Sequence, residues 1–342
     1  MKYIIILLTF FCFIKTSIAT PDTNANKFVV IKSTTNRDEA SSGDYFIAED
    51  FLSAFKELGY NADIDYRDEY HRSHTKEPDI NIYMRGYTKF YAPFGKNTNI
   101  LYVYYPMSYD KQSYIKNKKT KLNKRTPMPE NSSIDDDFQN YDIIAVASKS
   151  FAEELNKNKI NAIYIPQFTN PKKFYPDPQE ELKTDILFVG SNWHDRTSLR
   201  YAIELGFDVA VYGYNWNGII PNHMYKASYI PNNILNKYYS SAKIVLNDHR
   251  PDMKQYGFVN NRIYDATASG ALVISDYIEE IENIYGNSIP MYKTKDELKE
   301  LLIYYLTHEE ERKALAQKAR NITLKEYTHT TIAQKLLFTT PQ

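Results

Sequence analysis

From Lys27 onward the chain alternates short apolar runs with longer amphipathic stretches, and no other feature of the sequence narrows its fold as far. Residues 28–32 read as a strand, and a polar loop then passes through Ser41, Ser42 and Gly43. Residues 45–58 carry Phe46, Ile47, Phe51, Leu52, Phe55 and Leu58 at helical spacing until Gly59 stops them. Residues 79–84, 100–104 and 142–147 follow as strands, the last leading into a helix over 149–158, and residues 163–165 end the series. Strand and helix in alternation imply a mostly parallel sheet covered on both faces, because parallel neighbours need a crossover that lies over the sheet.

A second series begins after Pro166, Pro171, Pro176 and Pro178 have broken any regular period. It runs as strand 185–189, polar turn 190–196, helix 198–205 ended by Gly206, strand 209–212, helix 232–240 and strand 243–246. A long loop to Asn260, a helix from Asn261 and a buried strand over 271–275 follow, and residues 296–337 are nearly all helix-forming. At 342 residues the chain exceeds one ordinary domain of roughly 100–200 residues. The expected class is α/β, with two Rossmann-like lobes of parallel sheet facing a cleft. Its expected division is an N-terminal lobe over 22–165, a linker over 166–181, a C-terminal lobe over 182–320 and a segment over 321–342 that crosses back.

Residues 1–19 read as an export signal: Lys2 gives a positive start, residues 3–14 are apolar, and Ser17 and Ala19 are the small residues that precede a cleavage point. The expected location is periplasmic, secreted or lumenal, or anchored at the cytoplasmic membrane face if the segment is kept. No stable membrane span is expected after cleavage. The single cysteine, Cys12, lies inside the apolar run, so the mature chain has no thiol.

Lysine plus arginine and aspartate plus glutamate both number 42, which leaves no net field for nucleic acid or an anionic membrane, and no nucleic-acid partner is expected. Residues 111–125 are lysine-rich, either as solvated surface or as a patch for an acidic acceptor. The 31 tyrosines suit a carbohydrate-binding cleft, or reflect no more than biased composition.

In open parallel sheets ligands bind beyond the carboxyl ends of the strands. Three segments of the second series meet that condition. Gly190, Ser191 and Arg196 lie on a turn whose glycine admits close backbone approach and whose helix start offers N–H groups to phosphate, or the turn is a plain connection. Asp248, His249 and Arg250 follow the strand at 243–246: Arg250 suits a diphosphate, Asp248 a sugar hydroxyl, and His249 either a proton transfer or a structural hydrogen bond. Asn260, Asn261, Arg262 and Asp265 open the last of these helices; Asp265 either complements the helix dipole or accepts from ribose hydroxyls, with Arg262 near the diphosphate. No paired-aspartate loop for a metal stands beside these segments, since the acidic run 135–137 belongs to the first lobe, and no cofactor is expected.

The run from Asn260 to Ser275, preceded by residues 243–252, resembles the C-terminal signature of group 1 glycosyltransferases, particularly the CgeB-like branch. The resemblance spans residues 185–337, with the N-terminal half alike in architecture only. It implies the GT-B fold, with a nucleotide-sugar donor on the C-terminal lobe, an acceptor on the N-terminal lobe and no metal held by paired aspartates. Asp265 matches the second acidic position of the donor motif, whereas Gly257 or Phe258 stands at the first, and Arg196 matches a basic phosphate position loosely. The expected activity is metal-independent transfer of a sugar from a UDP- or GDP-sugar to a glycan, lipid-linked or protein acceptor. The alternatives are an exported, non-catalytic glycan-binding protein of the same fold and a phosphosugar-processing enzyme such as an epimerase.

Overall fold

The structure is a computed structural model that describes residues 24–39, 42–69, 74–86, 97–106 and 141–339. The export segment at 1–19 and the lysine-rich run at 111–125 lie outside the described residues. The first lobe is built from β1 (Phe28–Lys32), α1 (Gly43–Glu57), β2 (Asn61–Asp65), β3 (Ile80–Arg85), β4 (Thr98–Val103), β5 (Ile143–Val146), α2 (Lys149–Lys157) and β6 (Ala162–Tyr164). Its six strands lie in the order β2-β1-β3-β4-β5-β6 and pair in parallel throughout. Every residue of β1 and β3 is buried, as strands covered on both faces require. Helix α1 covers one face with Ile47, Ala48, Phe51, Ala54 and Phe55, and α2 starts where the Ser148 hydroxyl accepts from the Phe151 amide at 3.1 Å.

The second lobe contains β7 (Thr184–Val189), α3 (Thr197–Glu204), β8 (Ala210–Tyr212), β9 (Tyr225–Ala227), α4 (Leu235–Ser241), β10 (Ala242–Asn247), α5 (Pro251–Tyr256), α6 (Asn261–Ala268), β11 (Leu272–Asp276), α7 (Glu279–Tyr285) and β12 (Met291–Tyr292). Its parallel sheet runs β12-β11-β10-β7-β8-β9. Helices α8 (Lys295–Thr307), α9 (Glu309–Glu326) and α10 (His329–Phe338) complete the chain. Helix α5 stands where a loop is expected: Pro251 at its first turn fixes the starting φ, but with Met253 its one buried residue it shows no apolar stripe.

Each sheet has one place where the chain reverses its direction of travel, between β1 and β3 in the first lobe and between β7 and β10 in the second. There the loops part, and the crevice left at the carboxyl ends of the strands is where this kind of sheet holds ligands.

The lobes are joined by packing as well as by chain. Met253 and Phe258 of the second lobe are buried in the hydrophobic core of the first, and Phe151 meets Tyr256 and Phe258 at ring distances of 5.3 and 5.4 Å. Full burial of one such side chain is worth ~1.5–3 kcal/mol, so this contact holds the lobes together. Segment 166–181 is anchored in both lobes, with Phe168 in the first core and Phe174 in a core of the second. The chain crosses twice, and the crossings pair: the Thr169 amide donates to the Tyr327 carbonyl at 3.0 Å and the His329 amide to the Thr169 carbonyl at 2.8 Å. The returning segment expected from residue 321 starts later, because α9 runs unbroken to Glu326 against α6 and β11, and α10 alone packs on α1. Among the described residues no helix is long and apolar enough to cross a membrane.

Candidate functional site

A cleft of about 310 Å³ lies between the lobes, bounded by Gly43, Ile47, Asp50 and Tyr105 on one side and by Gly190, Ser191, Tyr239, Asn261, Arg262 and Asp265 on the other. Arg262 occupies the reversal point of the second sheet. Its Nη1 donates to the Asn247 side chain at 2.8 Å at the end of β10, and its guanidinium carbon stands 5.5 Å from the Phe188 ring of β7. A Cβ on Gly190, just past β7, would come within 2.9 Å of Arg262 Nη2, so the arginine fills the place a side chain there would take. No carboxylate among the described residues forms an ion pair with Arg262.

The turn after β7 is fixed by the turn after β8. Gly213 has φ +145°, and a Cβ there would stand 2.3 Å from the Gly190 carbonyl oxygen, so only glycine fits. The Tyr214 amide donates to the Ser191 hydroxyl at 3.0 Å, the Asn192 amide to the Tyr214 carbonyl at 3.0 Å, and Trp216 Nε1 to the Gly190 carbonyl at 2.7 Å. These bonds present Gly190 and Ser191 to the cleft as rigid backbone.

Asp265 lies on the cleft wall but is already engaged. Its Oδ1 accepts from the Thr169 hydroxyl at 2.7 Å and its Oδ2 from Asn261 Nδ2 at 2.8 Å. Burial pushes its carboxyl well above the usual range, the bond from Thr169 working against that. Two carboxylate oxygens offer about four acceptor directions, which leaves capacity for a ligand hydroxyl. Helix α6 begins without a side-chain cap: Asn260 instead donates from Nδ2 to the Asp248 carbonyl at 2.9 Å. Asn260 is therefore a brace beneath the site, and the start of α6 is left uncapped toward the cleft.

Four expected site residues are placed elsewhere. The Asp248 carboxylate, 2% exposed, accepts from the Ser198 amide and hydroxyl at 3.3 and 2.9 Å and from Arg196 Nη1 at 3.2 Å, so it caps α3 and is spent before any sugar arrives. Arg196 also donates from Nε to the Ser191 carbonyl at 3.0 Å, which makes it a strut behind the glycine turn and no phosphate arm. Arg250 sits at the start of α5, where Asp252 takes Nε and Nη2 at 3.2 and 3.1 Å, outside the cleft wall. The His249 ring is fully buried: Nδ1 donates to Asp276 Oδ1 at 2.7 Å and Nε2 accepts from the Asn260 amide at 3.2 Å. A ring with both nitrogens committed to the fold has none to offer as a base, and this corrects the catalytic role considered for His249.

The sequence hides several residues that build the cleft. Phe188 reads as an ordinary core strand residue, whereas Asn247 opens the second candidate segment as the first residue after the strand, and β10 in fact extends through it. Gly213 between Tyr212 and Tyr214 was a visible signal, since a glycine directly after a strand often marks close backbone approach.

Residues 185–337 match the glycosyl transferase-like family. Spore protein CgeB of Bacillus subtilis (strain 168) is 27% identical over 195 residues, and the match takes in 52% of this chain and 60% of that protein. Sucrose-phosphate synthase from Thermosynechococcus elongatus superposes with a TM-score of 0.65 at 11% identity, covering 91% of this chain and 98% of that one. An alpha-glucosyltransferase in complex with UDP and a 13-mer DNA superposes with a TM-score of 0.63 at 12% identity and the same coverage of 91% and 98%. That complex overturns the expectation that nucleic acid is excluded as a partner. A net charge of zero sums the whole surface and says nothing of a cleft, and this fold holds DNA in a protein of similar shape. The chain thus has the GT-B fold of these glycosyltransferases, and its C-terminal lobe matches the glycosyl transferase-like family.

Proposed function

We propose that this chain transfers a sugar from a UDP- or GDP-linked donor, bound on the C-terminal lobe, to a hydroxyl-bearing acceptor. The observation that carries the reading is Arg262, a cation at the reversal point of the sheet, oriented by Asn247 and Phe188 and left without a carboxylate among the described residues. A diphosphate supplies the missing charge. As the bond from the anomeric carbon to the diphosphate oxygen breaks, negative charge grows on the departing group, and a fixed guanidinium with the uncapped start of α6 stabilises it without reorganising. Asp265 accepts from the ribose with its remaining lone pairs. Among the described residues no group of three or more His, Cys, Asp or Glu side chains converges as a metal site, and in this reading Arg262 carries the phosphate charge. Calorimetric titration with UDP, GDP and their sugars tests the assignment: binding of one nucleotide series supports it, and failure of all of them removes it.

A second reading is favoured by Gly257. Gly257 or Phe258 stands where the resemblance expects an acid; Gly257 has φ +68° and a Cβ there would stand 2.5 Å from the Ser150 Oγ, while Phe258 is buried in the core of the first lobe, so neither position offers a carboxylate. An exported protein that holds a glycan without turnover accounts for that replacement. Export itself is proposed from residues 1–19, and mass spectrometry of the native protein tests it by finding a start at Thr20 or an intact Met1.

A further inference from the structure

Thr169 makes three bonds that join parts of the chain far apart in sequence. Its amide donates to the Tyr327 carbonyl and its carbonyl accepts from the His329 amide, which closes the junction between the first and second crossings of the chain. Its hydroxyl donates to Asp265 Oδ1 at 2.7 Å. Thr169 is fully buried, so none of the three bonds competes with solvent. The same segment holds the opposite wall: Asn170 Nδ2 donates to Asp50 Oδ1 at 2.9 Å, and Lys173 Nζ lies 2.6 Å from that oxygen. Asp50 and Asp265 both line the cleft, one from α1 and one from α6, so segment 169–173 fixes an acid in each wall.

The two acids are held differently. Asp50 is neutralised by Lys173, whereas Asp265 has two neutral donors, the Thr169 hydroxyl and Asn261 Nδ2, and no ion pair among the described residues. A tie between lobes needs no carboxylate, since a neutral acceptor would take the Thr169 hydroxyl without the cost of burying a charge. Burial drives the Asp265 carboxyl toward its neutral form and Asp50 adds to that, while the bonds from Thr169 and Asn261 oppose both. Two bonds, one to each oxygen, also fix the plane of the carboxylate, so its remaining lone pairs have set directions.

We propose that Thr169 is a positioning residue for the donor, aiming Asp265 at the ribose and tying ribose binding to the junction between the lobes. This rests on the transferase reading above. Thr169 is not itself on the cleft wall and acts through Asp265. Without its hydroxyl, Asp265 keeps one bond and is free to turn or to take up a proton. A ribose that engages Asp265 in turn steadies Thr169 and its two backbone bonds, because such coupling is reciprocal.

The test titrates the full chain by calorimetry with UDP, GDP and the 2′-deoxy form of whichever binds. Thr169→Val is expected to bind the ribonucleotide about fivefold or more weaker and its 2′-deoxy form within about twofold of wild type, so that the preference for ribose shrinks. Thr169→Ser, which restores the hydroxyl, is expected to restore affinity and preference together. In the wild type, hydrogen exchange at the Thr169 and His329 amides is expected to slow more with saturating ribonucleotide than with saturating 2′-deoxy nucleotide, a measurement that needs no variant to fold. The inference is overturned by a valine variant with the wild-type preference, by equal losses for both nucleotides, which mark a folding role, by a serine variant no better than valine, or by equal exchange with the two ligands. A wild type that binds a nucleotide without regard to its 2′-hydroxyl removes the inference and leaves Arg262 with the diphosphate. A wild type that binds neither UDP nor GDP removes the transferase reading itself, and the inference with it.

Discussion

Gly257 of the second lobe rests against Ser150 of the first so closely that a Cβ on it would stand 2.5 Å from the serine Oγ. The adjoining Tyr256 carbonyl accepts from the hydroxyls of both Ser148 and Ser150, the latter at 2.9 Å. The position is an interlobe contact, and its φ of +68° adds a conformational demand. Gly257→Glu is expected to destabilise the fold by about 1–2 kcal/mol from the left-handed backbone alone, with more from displacing Ser150. Urea unfolding checks this, and an unchanged or higher midpoint would contradict the packing described.

His249 ties Asp276 at the end of β11 to the amide of Asn260 at the start of α6. Its replacement by alanine leaves the Asn260 N–H without its partner and takes one bond from the buried Asp276 carboxylate, which keeps Lys254, Ser275 and the residue-249 amide, at an expected loss of about 1–3 kcal/mol in stability. Unfolding measurements decide between this and chemistry. A variant as stable as wild type but devoid of turnover would return His249 to a catalytic role.

The returning helix is fastened to the first lobe by His329, whose Nε2 lies 3.0 Å from Glu57 Oε1, with Lys172 2.9 Å from the same oxygen. Burial alone would raise the Glu57 carboxyl, but the bonds from His329, Lys172 and Ser53 together lower it from 4.5 to about 2. A depressed acid stabilises the fold above its unfolded value and loses that contribution as pH falls through its folded value. Stability is therefore expected to decline between pH 4.5 and about 2, and Glu57→Gln to flatten that part of the profile. Urea midpoints across this range provide the check.

How much of this was legible in the sequence depended on whether a residue's role was set by its near neighbours. Strand β1 was read at its observed bounds because five contiguous apolar-to-amphipathic residues between a polar start and a polar loop have one solution in a parallel sheet. Helix α5 was missed because six residues with one buried side chain carry no period. Arg262 and Asp265 were legible from their place at a helix start after a strand, and both reach the cleft. Asp248 and His249 were equally well placed by sequence. Their side chains turn inward because Ser198, Asp276 and Asn260, distant in sequence, offer stronger partners there than solvent does. Spacing shows which end of the sheet a residue occupies, whereas tertiary hydrogen bonds decide which way it points.

Asp265 gives a prediction specific to the ribose. With its carboxylate accepting from a ribose hydroxyl, the wild type is expected to prefer UDP to 2′-deoxy-UDP, and Asp265→Asn to lose about 1.5–3 kcal/mol of UDP affinity together with that preference. Competition titrations with the two nucleotides measure both. An unchanged preference in the variant would confine Asp265 to its bonds with Thr169 and Asn261.

The most direct measurement is calorimetric titration of the wild type and of Arg262→Ala with UDP and with GDP, each with excess EDTA, after circular dichroism has shown both proteins folded. The account predicts that wild type binds one nucleotide with unchanged affinity in chelator, and that the variant loses a charge-assisted contact of about 1.5–3 kcal/mol, on the order of a tenfold to hundredfold weakening. Equal binding by the two proteins, a strict requirement for a divalent metal, or no binding by the wild type would contradict the assignment of the diphosphate to Arg262.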